Sequence, residues 1–183
     1  MTSLLDQTVV DCLNSGGIVV AKTDTIYGIL ARAADEHAVE RVFRLKRRGD
    51  HKSPIVLIAN YDQPLVPIPK QQYELSRTVW PGPVTIAIPV DPTTAPQWLS
   101  RGNQEFGHRM PADDQLATLI SRTGPLIAPS ANPEGETPAI NVHAAIEYFG
   151  DQVDVYVDGG EVIDDTPSQL LRINESGDVE RLR

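Results

Sequence analysis

The sequence is poor in the residues that build disulfides, membrane spans and secretion signals. Its 183 residues include one cysteine, Cys12, which excludes an internal disulfide and disfavours a cysteine-based zinc site. No stretch approaches the roughly 20 apolar residues that span a membrane, and the first residues lack the basic start and long apolar run of a signal peptide. We therefore expect a cytoplasmic protein in a reducing compartment, with no membrane partner.

Positive charge is also scarce. The formal net charge is -9, so an extended basic face for a nucleic-acid backbone is not expected, and any contact with tRNA should be weak or indirect. One segment stands out against this acidic background and indicates a local anion site. Its positive residues lie between residues 41 and 52 and are Arg41, Arg44, Lys46, Arg47, Arg48 and Lys52.

The glycine-rich loops that usually cradle phosphates are absent too. Neither G-x-x-x-x-G-K-[ST] nor G-x-G-x-x-G occurs, so a bound nucleotide would need cationic side chains. The histidines form no H-x-H or H-x-x-x-H pair, so no metal site is predicted, and no Ser-His-Asp triad follows from their spacing. Surface or supporting positions are expected for His37, His51, His108 and His143.

What is present is an ordinary globular composition. Hydrophobic residues make up 40% of the chain and charged residues 22%. The length fits one domain, and we expect residues 1–183 to form it. Helical and strand-like segments alternate without internal repeats, which predicts an α/β fold with a mixed sheet covered by helices.

Apolar periodicity and capping residues predict the individual elements. Asp35 and Asn141 are expected to cap helices, Gly124 to end one, and the corner at residues 80–83 (Trp-Pro-Gly-Pro) to join a helix rigidly to a strand. Helices are expected at residues 3–15, from Asp35 to the basic cluster, at 71–79, around 116–120 and up to 149. Strands are expected at 18–21, 55–59, 84–90, 153–157, 169–173 and 179–182, with the last three forming an antiparallel piece.

Polar clusters follow two of the apolar segments. Thr23, Asp24 and Thr25 come directly after the first strand, where open α/β sheets bind ligands, although a turn or helix cap is the commoner role of such residues. Ser130 and Asn132 follow the apolar run 125–129, at the expected carboxyl end of a strand. Their hydroxyl and amide groups can donate to phosphate or ribose, and an Asn-Pro turn with a capping serine is the alternative.

The basic cluster has two interpretations as well. Cations at a helix C-terminus are commonly solvated and stabilised there by the helix dipole. A turn could instead bring Lys46, Arg48 and Lys52 together as point charges and a bidentate fork for a triphosphate. In that case we expect the cluster at a cavity rim, where Lys46→Ala or Arg48→Ala weakens ATP use without unfolding the domain.

Five segments in order resemble the YrdC-type threonylcarbamoyl-AMP synthase family: KTDTIYGI, LKRRGDHKS, WPGPVTIAI, GHRMP and LIAPSANPEG. The resemblance runs from residue 16 to residue 183 and is to the single-domain form. It implies a YrdC/RibB-like α/β fold, a twisted mixed parallel/antiparallel sheet flanked by helices with a concave, positively lined cavity. It also implies an L-threonylcarbamoyladenylate synthase, a nucleotidyltransferase that forms threonylcarbamoyl-AMP and pyrophosphate from L-threonine, bicarbonate and ATP. The product would serve threonylcarbamoyladenosine modification of tRNA through a partner tRNA-threonylcarbamoyl transferase machinery.

The same resemblance assigns roles to individual residues. The catalytic tetrad, which would hold the ATP phosphates, consists of Lys46, Arg48, Ser130 and Asn132, and Lys52 and Arg181 would add ATP contacts. Threonine would be bound by Thr25, Arg109, the backbone of Ala128, and Ser168. ATP is implied as a substrate accompanied by Mg²⁺, and no organic cofactor is implied.

Two other functions stay open at this point. The chain departs from the family pattern at Lys22, Leu57 and Gln169. A non-catalytic module of the same fold would bind nucleotide or structured RNA without turnover. A carbamoyl-transfer relative would instead make a carbamoyl adenylate from carbamoyl phosphate and ATP, although such relatives carry extra domains.

Overall fold

The fold is seen in a computed structural model that describes residues 2–47, 49, 51–164, 166–174 and 176–183. In this part of the chain the helices are α1 (Gln7–Asn14), α2 (Glu36–Lys46), α3 (Lys70–Val79), α4 (Gln97–Ser100), α5 (Asp114–Thr123) and α6 (Val142–Phe149), with a 3-10 turn at Gly150–Gln152. The strands are β1 (Val19–Lys22), β2 (Tyr27–Arg32), β3 (Val56–Leu57), β4 (Val84–Pro89), β5 (Glu105–Arg109), β6 (Leu126–Ile127), β7 (Val155–Tyr156), β8 (Gln169–Ile173) and β9 (Val179–Arg181).

Side-chain caps mark where α2 and α6 begin. The carboxylate of Asp35 accepts the N–H of Ala38 at 3.0 Å, and the amide oxygen of Asn141 accepts the N–H of Ala144 at 2.9 Å. These contacts confirm both predicted caps, because each satisfies an N–H that the helix itself leaves unpaired. Gly124, at φ 83°, ends α5 as predicted, since glycine adopts this conformation without steric cost.

The strands form one mixed sheet. Within the described residues its order is β7-β1-β2-β6-β3-β5-β4-β8-β9. The pairs β1–β7, β3–β5 and β4–β8 are parallel, and the remaining neighbours are antiparallel. This arrangement confirms the predicted mixed sheet flanked by helices, whereas the single domain over residues 1–183 stays a prediction.

The closing strands do not form the antiparallel piece that we expected. The strands β8 and β9 do pair antiparallel, but β7 lies at the opposite edge, parallel to β1. Asp154 holds it there, because its carboxylate accepts the N–H of Ile18 at 2.7 Å and its own N–H donates to the carbonyl of Ile18 at 3.1 Å. The prediction was therefore wrong for 153–157, since a long-range contact decides its partner.

Helices cover both faces of the sheet. Successive residues of β1 point to opposite sides, so Val20 packs into a core with α2 and α6, while Val19 and Ala21 pack into a second core with α1 and α5. Burial on both faces explains why β1 is a continuous apolar run rather than an alternating one. No helix among the described residues combines the length and the apolar character needed to span a membrane.

Three elements were missed by the sequence prediction: β2, β5 and the short α4. The first two overlap KTDTIYGI and GHRMP, two of the segments that carry the family resemblance. Position 107 in β5 is occupied by glycine, and a Cβ there would stand 2.6 Å from Cγ2 of Thr85 on the neighbouring strand, which is too close for a larger residue. Both strands matter for the site, since β2 follows the Thr-Asp-Thr turn and β5 ends at Arg109.

Candidate active site

A cavity of about 390 Å³ opens between the β1–β2 turn and the segment that follows β6. That segment runs beside β2, because the N–H of Ile29 donates to the carbonyl of Pro129 and the N–H of Ala131 to the carbonyl of Tyr27, both at 2.9 Å. All four residues expected to bind threonine contribute to the wall, together with one phosphate candidate and a second arginine: Thr25, Arg109, Ala128, Ser168, Ser130 and Arg183.

Arg109 is held at the wall by the turn between β1 and β2. Its Nη2 lies 3.2 Å from Oδ1 of Asp24, and its Nη1 donates to Oγ1 of Thr25 at 3.2 Å. The turn is closed by Thr23, whose hydroxyl donates to the carbonyl of Ile26 at 2.7 Å. The cluster therefore forms a turn, as in the commoner interpretation, and the same turn places its side chains at the cavity.

Burial shapes the electrostatics of this pair. It raises the pKa of Asp24, against the lowering effect of Arg109. It also lowers the pKa of Arg109, against the raising effect of Asp24. Both groups lose hydration and are paired, which makes Arg109 a fixed cation with a planar fork suited to a carboxylate or phosphate.

Three of the four tetrad residues come together at the end of α2. The Lys46 ammonium donates to the carbonyl of Ser130, to the carbonyl of Asn132 at 2.6 Å and to Oδ1 of Asn132 at 3.3 Å. The hydroxyl of Ser130 donates to the same Oδ1 at 2.6 Å. The fourth member, Arg48, lies outside the described residues.

The expected position of Lys46 at a cavity rim is wrong. Its side chain is buried, with a residue exposure of 3%. Three oxygens of residues 130–132 accept hydrogen bonds from its ammonium. Lys46 therefore fixes Ser130 and Asn132 relative to α2, a contact that would be lost in Lys46→Ala.

Two other members of the basic cluster, Lys52 and Arg41, contact different parts of the protein. Lys52 forms an ion pair with Glu134, on the same segment as Ser130. Arg41 belongs to a different surface, because its Nη1 lies 2.8 Å from Oδ2 of Asp154. The anion-site prediction over residues 41–52 was therefore too broad, since a helix turns its side chains in different directions and Arg41 faces the β7 edge.

Arg181 does not line this cavity, whereas Arg183 does. The Arg181 side chain is exposed and its Nε donates to the carbonyl of Arg183 at 2.9 Å. Arg183 donates through Nε and Nη2 to the carbonyl of Ser168 at 3.2 and 3.1 Å, and burial lowers its pKa. Sequence reasoning passed over Arg183. Its only signal was the position two residues beyond Arg181 in the terminal V-E-R-L-R segment.

Ser168 has a second anchor in the sheet. Its hydroxyl and that of Thr85 on β4 are hydrogen-bonded at 2.8 Å, with both residues buried. The following residue, Gln169, begins β8 by donating its N–H to the carbonyl of Pro83 at 3.0 Å. The cavity wall is thus attached to the sheet independently of the β1–β2 turn.

Positions that depart from the family pattern have local partners. The Lys22 ammonium donates a hydrogen bond to the carbonyl of Glu161 at 2.8 Å, which attaches the chain around Glu161 to the end of β1. Leu57 is fully buried in the core beneath α1 and α5. Neither residue lines the cavity.

Two conspicuous sequence features are scaffold. Trp80 is buried at the corner between α3 and β4, and its indole N–H donates to the carbonyl of Val84 at 2.7 Å, in line with the predicted corner. His108 is fully buried in β5, and desolvation lowers its pKa to about 4. A neutral imidazole with 0% exposure supports the strand and does not reach the cavity.

Known proteins resemble this chain over most of its length. The Sua5/YciO/YrdC family model, described as "Telomere recombination", matches residues 11–183. Threonylcarbamoyl-AMP synthase of Pyrococcus abyssi (strain GE5 / Orsay) is 32% identical over 167 residues, which are 89% of this chain and 49% of that protein. Threonylcarbamoyl-AMP synthase of Halorhodospira halophila (strain DSM 244 / SL1) is 34% identical over 151 residues, 80% of this chain and 78% of that protein.

A solved structure agrees with these relatives. The crystal structure of P. abyssi Sua5 complexed with L-threonine superposes with a TM-score of 0.86 at 30% identity, and the match covers 96% of this chain and 52% of that chain. The chain thus spans about half the length of the archaeal protein. Because the family model covers nearly all residues and the fold agrees, the chain belongs to the Sua5/YciO/YrdC family.

Proposed function

We propose that this chain is an L-threonylcarbamoyladenylate synthase, a nucleotidyltransferase that joins L-threonine, bicarbonate and ATP. The observation that carries the proposal is the buried guanidinium of Arg109, held by Asp24 and Thr25 in the wall of a cavity that Ser130 also lines. A site for a small carboxylic acid therefore adjoins a polar segment suited to phosphate. Relatives named threonylcarbamoyl-AMP synthase support the same activity.

The threonine end would be built around Arg109. A planar guanidinium can hold a carboxylate through two parallel hydrogen bonds. Asp24 already balances one unit of its charge, so the positive charge of Arg183 would offset the substrate carboxylate. The backbone of Ala128 and the hydroxyls of Thr25 and Ser168 provide further polar contacts for the amino and hydroxyl groups of threonine.

The ATP end would lie towards the tetrad. Ser130 and Asn132 are locked together by a hydrogen bond of 2.6 Å and fixed to α2 by Lys46. The Asn132 amide nitrogen donates to the carbonyls of Pro133 and Glu136 at 3.0 and 2.6 Å, so Asn132 would hold the segment in shape. Ser130, which lines the cavity, would turn its hydroxyl towards a phosphate. Arg48 and Lys52 would supply positive charge from the loop after α2, and Arg181 would add a contact from β9.

The reaction needs positioning and charge neutralisation more than covalent catalysis. The threonine amine combines with bicarbonate to give a carbamate and water. A carbamate oxygen then forms a bond to the α-phosphorus of ATP as the bond to pyrophosphate breaks, which leaves threonylcarbamoyl-AMP. Holding a weak nucleophile in line is worth several orders of magnitude in rate, and cations stabilise the leaving pyrophosphate.

Mg²⁺ would arrive with ATP rather than occupy a protein site of its own. No cluster of three His, Cys, Asp or Glu side chains suited to a metal occurs in the part of the chain that the structure describes. Mg²⁺ commonly keeps several waters and binds substrate phosphates in such enzymes. The protein residues would then act on the phosphates directly.

The product and its fate complete the proposal. We infer that threonylcarbamoyl-AMP is passed to a tRNA-threonylcarbamoyl transferase machinery in the cytoplasm, because an acyl adenylate is an activated group donor. With a net charge of -9, the chain itself would contact tRNA weakly or indirectly. Residues 1–183 would suffice for the adenylate-forming step.

Product identification tests the proposal. The purified protein is incubated with ATP, L-threonine and ¹³C-bicarbonate, and the products are analysed by mass spectrometry. We expect threonylcarbamoyl-AMP carrying one ¹³C atom, and none when threonine is omitted. ATP binding without an adenylate product would favour the non-catalytic module, and a carbamoyl adenylate formed only with carbamoyl phosphate would favour the carbamoyl-transfer relative.

A further inference from the structure

A glutamate to which the proposed function gives no role touches the loop after α2 at three places. The backbone N–H of Glu134 donates to the carbonyl of Lys46 at 2.7 Å. Its Oε2 accepts the backbone N–H of Gly49 at 2.8 Å, and its Oε1 pairs with the Lys52 ammonium. Glu134, two residues beyond Asn132, therefore contacts both the end of α2 and the loop that follows it. This loop is defined here as residues 47–52, of which the structure describes 47, 49, 51 and 52.

The three contacts differ in strength. The Lys52 side chain is 62% exposed, so solvent screens its ion pair and the contact contributes little. The bond from Gly49 joins a backbone N–H to a carboxylate, and such charge-assisted bonds are about twice as strong as neutral ones. Of these two side-chain contacts, the one to Gly49 is therefore the stronger.

Other contacts hold the two ends of the loop. Lys46 secures its start through the hydrogen bonds to Ser130 and Asn132. At its end, Asn103 donates to the carbonyl of His51 at 2.8 Å, and the hydroxyl of Ser53 donates to the carbonyl of Ser100 at 2.8 Å. Removing the Glu134 carboxylate should consequently loosen the middle of the loop without releasing its ends.

We propose that Glu134 is a positioning residue, which holds the basic loop against Ser130 and Asn132 so that the loop's cations face the ATP phosphates. The ATP part rests on the proposed function, whereas the position of the loop does not. Electrostatics alone predicts that removing the Glu134 carboxylate lowers KM for ATP, because a carboxylate near a triphosphate repels it. The two accounts therefore differ in the direction in which KM for ATP changes.

The first measurement is limited trypsin digestion, since Arg47, Arg48 and Lys52 are cleavage sites within the loop. Wild type is compared with Glu134→Ala, Glu134→Gln and the control Glu147→Ala, which removes an exposed glutamate from α6. We expect loop cleavage about tenfold faster in Glu134→Ala, as one charge-assisted hydrogen bond is lost. Glu134→Gln should be intermediate because its amide oxygen can still accept from Gly49, and the control should match wild type.

The second measurement separates positioning from general stability. In Glu134→Ala, KM for ATP should rise about tenfold while KM for threonine stays within twofold, and Glu134→Gln should recover part of the loss. Unchanged loop cleavage in Glu134→Ala, or a lower KM for ATP, would overturn the proposal. If wild type itself shows no turnover, the proposed function fails, and the digestion still decides whether Glu134 holds the loop.

Discussion

Asp24 and Arg109 form a buried ion pair beside the cavity, with Oδ1 and Nη2 3.2 Å apart and side chains 8% and 4% exposed. The carboxylate comes from the β1–β2 turn and the guanidinium from the end of β5. Breaking such a pair by removing one partner costs about 3–5 kcal/mol, because a buried charge is left without a counter-ion. Tests of function at this pair should therefore preserve the charge.

Arg109→Lys keeps the cation but loses the planar fork. We expect kcat/KM for threonine to fall about a hundredfold, equivalent to about 2–3 kcal/mol of lost transition-state stabilisation, with a smaller effect on KM for ATP. Steady-state kinetics with each substrate varied provide the measurement. Arg77→Lys, at an exposed position of α3, is the matched control. A variant with unchanged KM and kcat for threonine would remove Arg109 from the threonine site.

Lys46→Met should lower stability as well as ATP use. The substitution deletes a buried ammonium that donates to three oxygens of residues 130–132. We expect the free energy of unfolding to fall by about 3 kcal/mol, because those oxygens lose a charged donor. Urea unfolding measures this, with Arg44→Met on the exposed side of α2 as the control. A Lys46→Met protein as stable as the control would show that the ammonium is dispensable for folding.

His108 should make the protein sensitive to acid. Its folded-state pKa is about 4, below the usual 6.5, so the unfolded chain binds more protons between these values and stability falls as pH drops through this window. From pH 7 to pH 5 this residue alone should cost about 2 kcal/mol. His108→Leu should lose correspondingly less over the same interval, measured by urea unfolding at both pH values. Equal losses in wild type and variant would contradict the buried neutral imidazole.

Arg183→Ala should impair the reaction more than Arg181→Ala. Arg183 lines the cavity and contacts Ser168, whereas Arg181 does not line the cavity and donates to the carbonyl of Arg183. We expect at least a tenfold loss of kcat/KM in Arg183→Ala, because a cation balancing the substrate charge is removed. Kinetics of the two variants side by side give the comparison. A larger effect in Arg181→Ala would restore the assignment that the family resemblance implies.

Local signals in the sequence were enough for the caps of α2 and α6 and for the helices other than the short α4. Asp35 and Asn141 cap helices because their side chains reach an N–H three residues on, a contact that spacing alone reveals. The edge position of β7 could not be read in this way, since it depends on Asp154 meeting Ile18 across the chain. Periodicity likewise missed β5, whose polar residues become buried only when β3 and β4 flank it.

In the site, too, local motifs were predictable from the sequence and long-range contacts were not. Motif order brought Thr25, Arg109, Ala128 and Ser168 into one prediction, and the cavity gathers them in its wall. The burial of Lys46 was not predictable, because it depends on the 130–132 segment folding back onto the end of α2. The roles of Arg183 and Glu134 were missed for the same reason, since their partners lie far away in the sequence.

Pyrophosphate release from ATP tests the central claim most directly. The account predicts release by the wild-type protein only when L-threonine and bicarbonate are both present, and a strong loss of that release in Arg109→Lys. Release that is indifferent to threonine, or no release with all three substrates present, would contradict the assignment of a threonylcarbamoyl-AMP synthase.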